Sequence, residues 1–115
     1  MGGVIIPVLT RTETAVVKKE DVLYVESRLR TVLLHTAVRR YRYYGKMGDL
    51  AEMLGGSFYR CHVSWIVNLC KVASAGGGTV HMEDGKDIFL GRNKFQAFRR
   101  RYIQYLAARH KTENS

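Results

Sequence analysis

The segment Phe58-Tyr59-Arg60-Cys61-His62-Val63-Ser64-Trp65-Ile66-Val67-Asn68 carries the most informative polar groups in the chain, because they punctuate an otherwise apolar pattern. On a strand, a spacing of two places Arg60, His62 and Ser64 on one face. A guanidinium, an imidazole and a hydroxyl each donate a hydrogen bond and bring no negative charge, so the row has the chemistry of a clamp for phosphate oxygens. The same histidine and serine would also suit an interior in which they are satisfied by the fold. The pattern alone leaves both readings open.

Other constellations point away from catalysis. Cys61-His62 sets a thiol beside a base, but neighbours on a strand project to opposite faces. Cys61, His62, Cys70 and His81 lack the closely paired spacing of structural zinc ligands. Gly76-Gly77-Gly78 precedes a strand pattern and no Gly-Lys-Ser or Gly-Lys-Thr follows, whereas a phosphate loop aims a helix N-terminus at its anion; the glycines read as a hairpin connection. Asp84 and Asp87 flank a turn, and Glu20 and Asp21 sit in a polar loop, so no acid and base are paired. The expectation is a protein that is not an enzyme and that uses no cofactor and no metal.

Charge supplies the positive signal. Nineteen Lys and Arg face ten Asp and Glu, a formal net charge of +9. Acids are absent from residues 27–48, 53–82 and 88–112, stretches that hold Arg28, Arg30, Arg39, Arg40, Arg42, Arg60, Arg92, Lys94, Arg99, Arg100 and Arg101. A polyanion is the expected partner, because a basic surface kept for solubility would intersperse acids among the bases. Two cysteines, no signal-peptide pattern and no apolar run approaching the roughly twenty residues of a membrane span suit a soluble protein of the reducing cytoplasm.

The elements that must hold these groups are mostly strands. Short β-branched and aromatic runs recur at residues 4–9, 14–17, 22–26, 31–36, 41–44, 58–63 and 65–72, with Val38-Arg39-Arg40 joining two of them in a hairpin. Met47, Leu50, Ala51 and Leu54 repeat at helical spacing before Gly55-Gly56, which predicts a short amphipathic helix over 47–54. A loop over 74–78 leads to a final hairpin of 79–83 and 86–90 around Asp84-Gly85. Phe95, Phe98, Tyr102, Tyr105 and Leu106 mark a C-terminal helix over about 94–109 that packs through its aromatic side and touches a polyanion only at its margin. No internal repeat is visible, and 115 residues fit one mainly β domain spanning 1–115.

With those elements in place, the sequence resembles the LytTR family of bacterial transcription regulators. Arg60, His62, Ser64, Val67 and Asn68 match its Arg-x-His-x-Ser-x-x-x-Asn segment after a short helix. Asp21-Val22-Leu23-Tyr24-Val25-Glu26-Ser27 resembles the family's early strand, and Leu90-Gly91-Arg92-Asn93-Lys94-Phe95 its late strand end; the likeness covers residues 4–106. The resemblance implies an elongated antiparallel β-sheet domain whose loops enter successive major grooves of double-stranded promoter DNA. In most relatives it is the output domain of a phosphorylated response regulator in a two-component system. It implies two copies pairing head to tail on direct repeats, a monomer in solution, and control by an upstream receiver domain or a membrane-protein regulator.

Carried over by position, the family's base contacts fall on Arg30, Val63 and Arg92, with Arg28 and Thr31 as alternatives to Arg30 because the loop length differs. Backbone contacts fall on Arg28, Thr31, Arg60, His62, Ser64, Asn93 and Lys94. Val63 stands where a polar residue is frequent, and Gly91 where a serine is frequent. The alternative is a β-domain that binds single-stranded nucleic acid or RNA, stacking bases on Tyr41, Tyr43, Tyr44 and Trp65 among the arginines.

Overall fold

The computed structural model describes residues 3–113. Strands β1 (Ile5–Leu9) and β2 (Thr14–Lys18) form an antiparallel hairpin. A 3-10 turn, Lys19–Asp21, leads into β3 (Val22–Arg28), followed by β4 (Thr31–Thr36), β5 (Arg40–Tyr44), helix α1 (Met47–Leu54), β6 (Phe58–His62) and β7 (Trp65–Asn68). These five strands make one antiparallel sheet in the order β5-β4-β3-β7-β6. A second 3-10 turn, Leu69–Lys71, opens the three-stranded sheet of β8 (Val72–Gly76), β9 (Thr79–Met82) and β10 (Asp87–Phe89), and helix α2 (Arg92–Glu113) is the last described element.

The hairpin shows why these residues form strands. Ile6 and Val8 are buried while Ile5, Pro7 and Leu9 are exposed, the alternation of a half-covered strand. Pro7 is tolerated because β1 has β2 as its one partner, so its missing N–H faces no second ladder. The hairpin and α1 cover one face of the five-stranded sheet, through Ile6, Val8, Val17, Met47, Leu50 and Leu54 against Val25, Val32, Leu34 and Ile66. The three-stranded sheet and α2 cover the other, through Val80, Met82, Ile88, Leu90 and Phe98 against Leu23, Tyr24, Cys61 and Val67. Phe98 is fully buried and pins α2 to the body, a side chain whose burial stabilises the fold by about 1.5–3 kcal/mol.

A bulge between Val22 and Tyr24 breaks the alternation of β3 and turns two consecutive residues, Leu23 and Tyr24, to the second core, while Val22 and Val25 face the first. Three sequence expectations are corrected. The run over 65–72 is two strands, broken where the Asn68 side chain accepts from the Cys70 N–H and turns the chain. The loop over 74–78 is strand to Gly76, pairing with β9. The last helix is longer than 94–109 at both ends, since it runs Arg92–Glu113. The helix over 47–54 and the β9–β10 hairpin, with Gly85 at φ +93°, lie where the pattern places them.

Candidate nucleic-acid interface

Two turns at one end of the five-stranded sheet carry most of the residues singled out above. Between β3 and β4 only Leu29 and Arg30 leave the ladder, which closes again at Arg28 and Thr31. The Thr31 hydroxyl donates to the Arg28 carbonyl at 2.8 Å and fastens the turn. Leu29 takes φ +58° and is 95% exposed. Arg28, itself exposed, leans 3.7 Å from the largely covered Glu26 carboxylate, a loose contact, and Arg30 makes no hydrogen bond or ion pair among the described residues.

The second turn joins β6 to β7 directly alongside. β3 pairs with β7 as far as Glu26 opposite Trp65, and the Ser27 N–H then donates to the Ser64 carbonyl at 2.9 Å, so the strand leading into the first turn is bonded to the second turn. Within the second turn Arg60 Nη2 donates to the Val63 carbonyl at 2.9 Å, and the Ser64 N–H donates to His62 Nδ1 at 3.0 Å. Both side chains brace the turn and push Val63 out, where it is 66% exposed.

The register corrects the expectation that Arg60, His62 and Ser64 share a face. Arg60 pairs with Ile66 and His62 with Trp65, so Cys61 is an extra residue and the alternation skips. Arg60 therefore projects on the side of α1, and His62 on the side of the three-stranded sheet. The skip also removes the reason given for dismissing Cys61-His62, since the pair need not oppose each other across the sheet. A different reason excludes that chemistry: the thiol is buried, aims at the Trp65 carbonyl at 3.9 Å, and burial pushes its pKa up to about 12.

Asn68, the last member of the motif, is architectural. It is 3% exposed; Nδ2 donates to the Val22 carbonyl at 2.9 Å, while Oδ1 accepts from Ser57 Oγ at 3.0 Å and from the Cys70 N–H at 3.2 Å. One side chain thus ties the start of β3, the approach to β6 and the second 3-10 turn to the end of β7.

Arg92 belongs to another element. It is the first residue of α2, beside a shallow cavity shared with Gly77, Gly78, Leu90, Phe95 and Gln96. Arg101 Nη2 donates to the Gly56 carbonyl at 3.0 Å and Phe98 packs 6.3 Å from Tyr59, so α2 runs opposite to β6 and its N-terminus is directed toward the His62 end of that strand. Arg92, Asn93 and Lys94 are exposed, with no acid in this first turn to offset the helix dipole. Arg99 and Arg100 are exposed farther along, and Tyr102 donates to the Val72 carbonyl at 3.3 Å on the packed side.

Two of the acids are engaged away from these turns. Glu13 accepts both N–H groups of Arg39 at 2.9 and 3.0 Å, which holds its carboxyl below the usual range, and Asp84 accepts the Tyr24 hydroxyl at 2.9 Å. Among the described residues no His, Cys, Asp and Glu gather in a group able to hold a metal ion. Nor do the aromatic residues form a stacking array: Tyr41 and Tyr43 pack against the first core, Trp65 is half-buried beneath Lys86, and of the four named only Tyr44 is exposed. Sequence reasoning missed the Ser27–Ser64 bond, which depends on register, and the exposed Leu29, since an apolar residue between two arginines carries no turn signal.

The comparisons with known proteins bear on this geometry. A family model described as the LytTr DNA-binding domain matches residues 12–103. No curated protein matches. Among solved structures, a LytTr DNA-binding domain of a putative methyl-accepting/DNA response regulator from Bacillus cereus superposes with a TM-score of 0.73 at 18% identity, over 89% of this chain and 98% of that one. At that identity the likeness is one of fold. No helix among the described residues is long and apolar enough to cross a membrane.

Proposed function

This chain belongs to the LytTR family of DNA-binding domains, and from that premise we propose that it regulates transcription by recognising a specific duplex sequence with the β3–β4 turn, the β6–β7 turn and the first turn of α2. The observation that carries the proposal is the Ser27–Ser64 hydrogen bond, which ties the strand leading into one exposed, cation-bearing turn to the other turn at the same end of the five-stranded sheet.

Arg30 and Arg92 read bases, their planar forks suited to the two acceptors of a guanine edge in the major groove. Val63 meets the bases with its apolar side chain. Arg28, Thr31, Arg60, His62, Ser64, Asn93 and Lys94 contact the phosphate backbone; Arg60, with one N–H on the Val63 carbonyl, keeps further donors for a phosphate oxygen. Two copies occupy direct repeats about one helical turn apart, and the free protein is a monomer.

Selection from a random duplex pool, followed by competition with single-stranded DNA and with RNA, tests this reading. The expected result is one recovered duplex site, bound more tightly than either competitor and with steep salt dependence. Tighter binding to single strands or RNA than to any duplex overturns it. Analytical ultracentrifugation that finds a tight dimer without DNA overturns the head-to-tail arrangement.

A further inference from the structure

We propose that Leu29 is a sequence-reading residue that recognises the 5-methyl group of thymine in the major groove; the inference rests on the duplex binding proposed above. Leu29 is the most exposed large apolar side chain among the described residues, at 95%, so it contributes almost nothing to either core. It stands at the first of the two turn positions, with a φ of +58° that glycine adopts freely and a branched side chain rarely does. Neither folding nor turn formation asks for leucine at this position.

What surrounds it points to one kind of surface. Arg28 and Arg30 flank it in sequence, the tip is fastened by Thr31, and its neighbour across the Ser27–Ser64 bond is the turn that presents Val63. A tip bordered by two guanidiniums is drawn to a polyanion, and on the duplex proposed above it is the groove that offers an apolar contact. Base edges there display donors and acceptors, with which leucine can do nothing, and the thymine methyl, which it can cover. The arginines bring the tip to the groove, and the leucine between them distinguishes thymine from cytosine.

The test uses the duplex that the wild-type protein selects from a random pool, with its thymines replaced one at a time by deoxyuridine, which deletes the methyl group and leaves base pairing intact. At one thymine the wild type loses about fourfold in affinity, the effect of uncovering a single methyl group. Leu29→Gly binds the parent duplex about fourfold more weakly and shows no additional loss at that deoxyuridine. Leu29→Asn, whose side chain tolerates positive φ, behaves in the same way. Thermal unfolding of Leu29→Gly at or above the wild-type temperature shows that the loss does not come from the fold. The inference is overturned if every deoxyuridine duplex binds the wild type equally well, or if both variants retain the wild-type penalty. A wild-type protein that selects no duplex brings down the proposed function as well, a result distinct from selection without a methyl effect.

Discussion

The two ends of β7 present one sequence motif in two different conditions. At its C-terminal end Asn68 is sealed from solvent and every polar atom of its side chain is bonded within the protein. At its N-terminal end Arg60, His62 and Ser64 surround an open turn, where two internal bonds set the shape and Arg60 and Val63 are exposed. Residues that recur together in a motif need not share a task. Here the buried end builds the platform, and the open end is what the platform displays.

Substitutions at the two ends should separate the tasks. Asn68→Ala is expected to have the largest effect, about 3 kcal/mol of lost stability, because it strands the Val22 carbonyl, the Ser57 hydroxyl and the Cys70 N–H. Denaturant unfolding measures it, and an Asn68→Ala protein as stable as the wild type would erase the contrast. Arg92→Ala should cost about 1–3 kcal/mol of binding on the selected duplex and relax preference at one base pair, with folding stability changed by less than about 0.5 kcal/mol. Equal losses on selected and random duplexes would show that Arg92 does not read bases.

Arg60→Ala should weaken binding to all duplexes alike and lower the salt slope by about one, which titrations at several ionic strengths detect. A change in base preference would instead mean that Arg60 shapes readout through Val63. The smallest effect concerns His35, which lies away from both ends of β7, stacked on Tyr24 at 4.3 Å. Burial holds its imidazole below the ordinary value, against the contrary pull of Glu26. The unfolded chain then takes up the proton more readily, so this contribution to stability is complete above a pH of about 6.5 and is lost as pH falls through the lower folded value. Comparing denaturant midpoints at neutral and mildly acid pH should show a shallower loss for His35→Gln than for the wild type.

Much of this was legible in the sequence because apolar periodicity is local. The helix over 47–54, the strands of the first half and the Asp84-Gly85 hairpin each follow from residues a few positions apart, and the acid-free stretches show where positive charge would stand. What was not legible depends on pairing. The extra residue at Cys61 moves His62 off the face of Arg60, and only the partner strand reveals it. A repeated unit was invisible for a similar reason: β2–β3–β4 and β7–β8–β9 each run strand, 3-10 turn, bulged strand, strand. The residues after the two turns, Val22 and Val72, have nearly the same torsions, φ −80°, ψ 124° and φ −82°, ψ 125°. Lys18 precedes one turn without a cap and Asn68 caps the other, so the backbone repeats while the side chains do not.

Adjacent strands in a sheet stand about 4.8 Å apart, and the bond from Ser27 to Ser64 carries that spacing one residue beyond the Glu26–Trp65 pair, to the base of the β3–β4 turn and into the β6–β7 turn. The pair works as a caliper with a fixed opening. If the two turns enter a duplex groove as proposed, a groove that differs in width would have to yield to them, and stiff tracts would resist where pliant steps comply. Targets would then be sorted partly by their mechanics, including at base pairs that no side chain reaches.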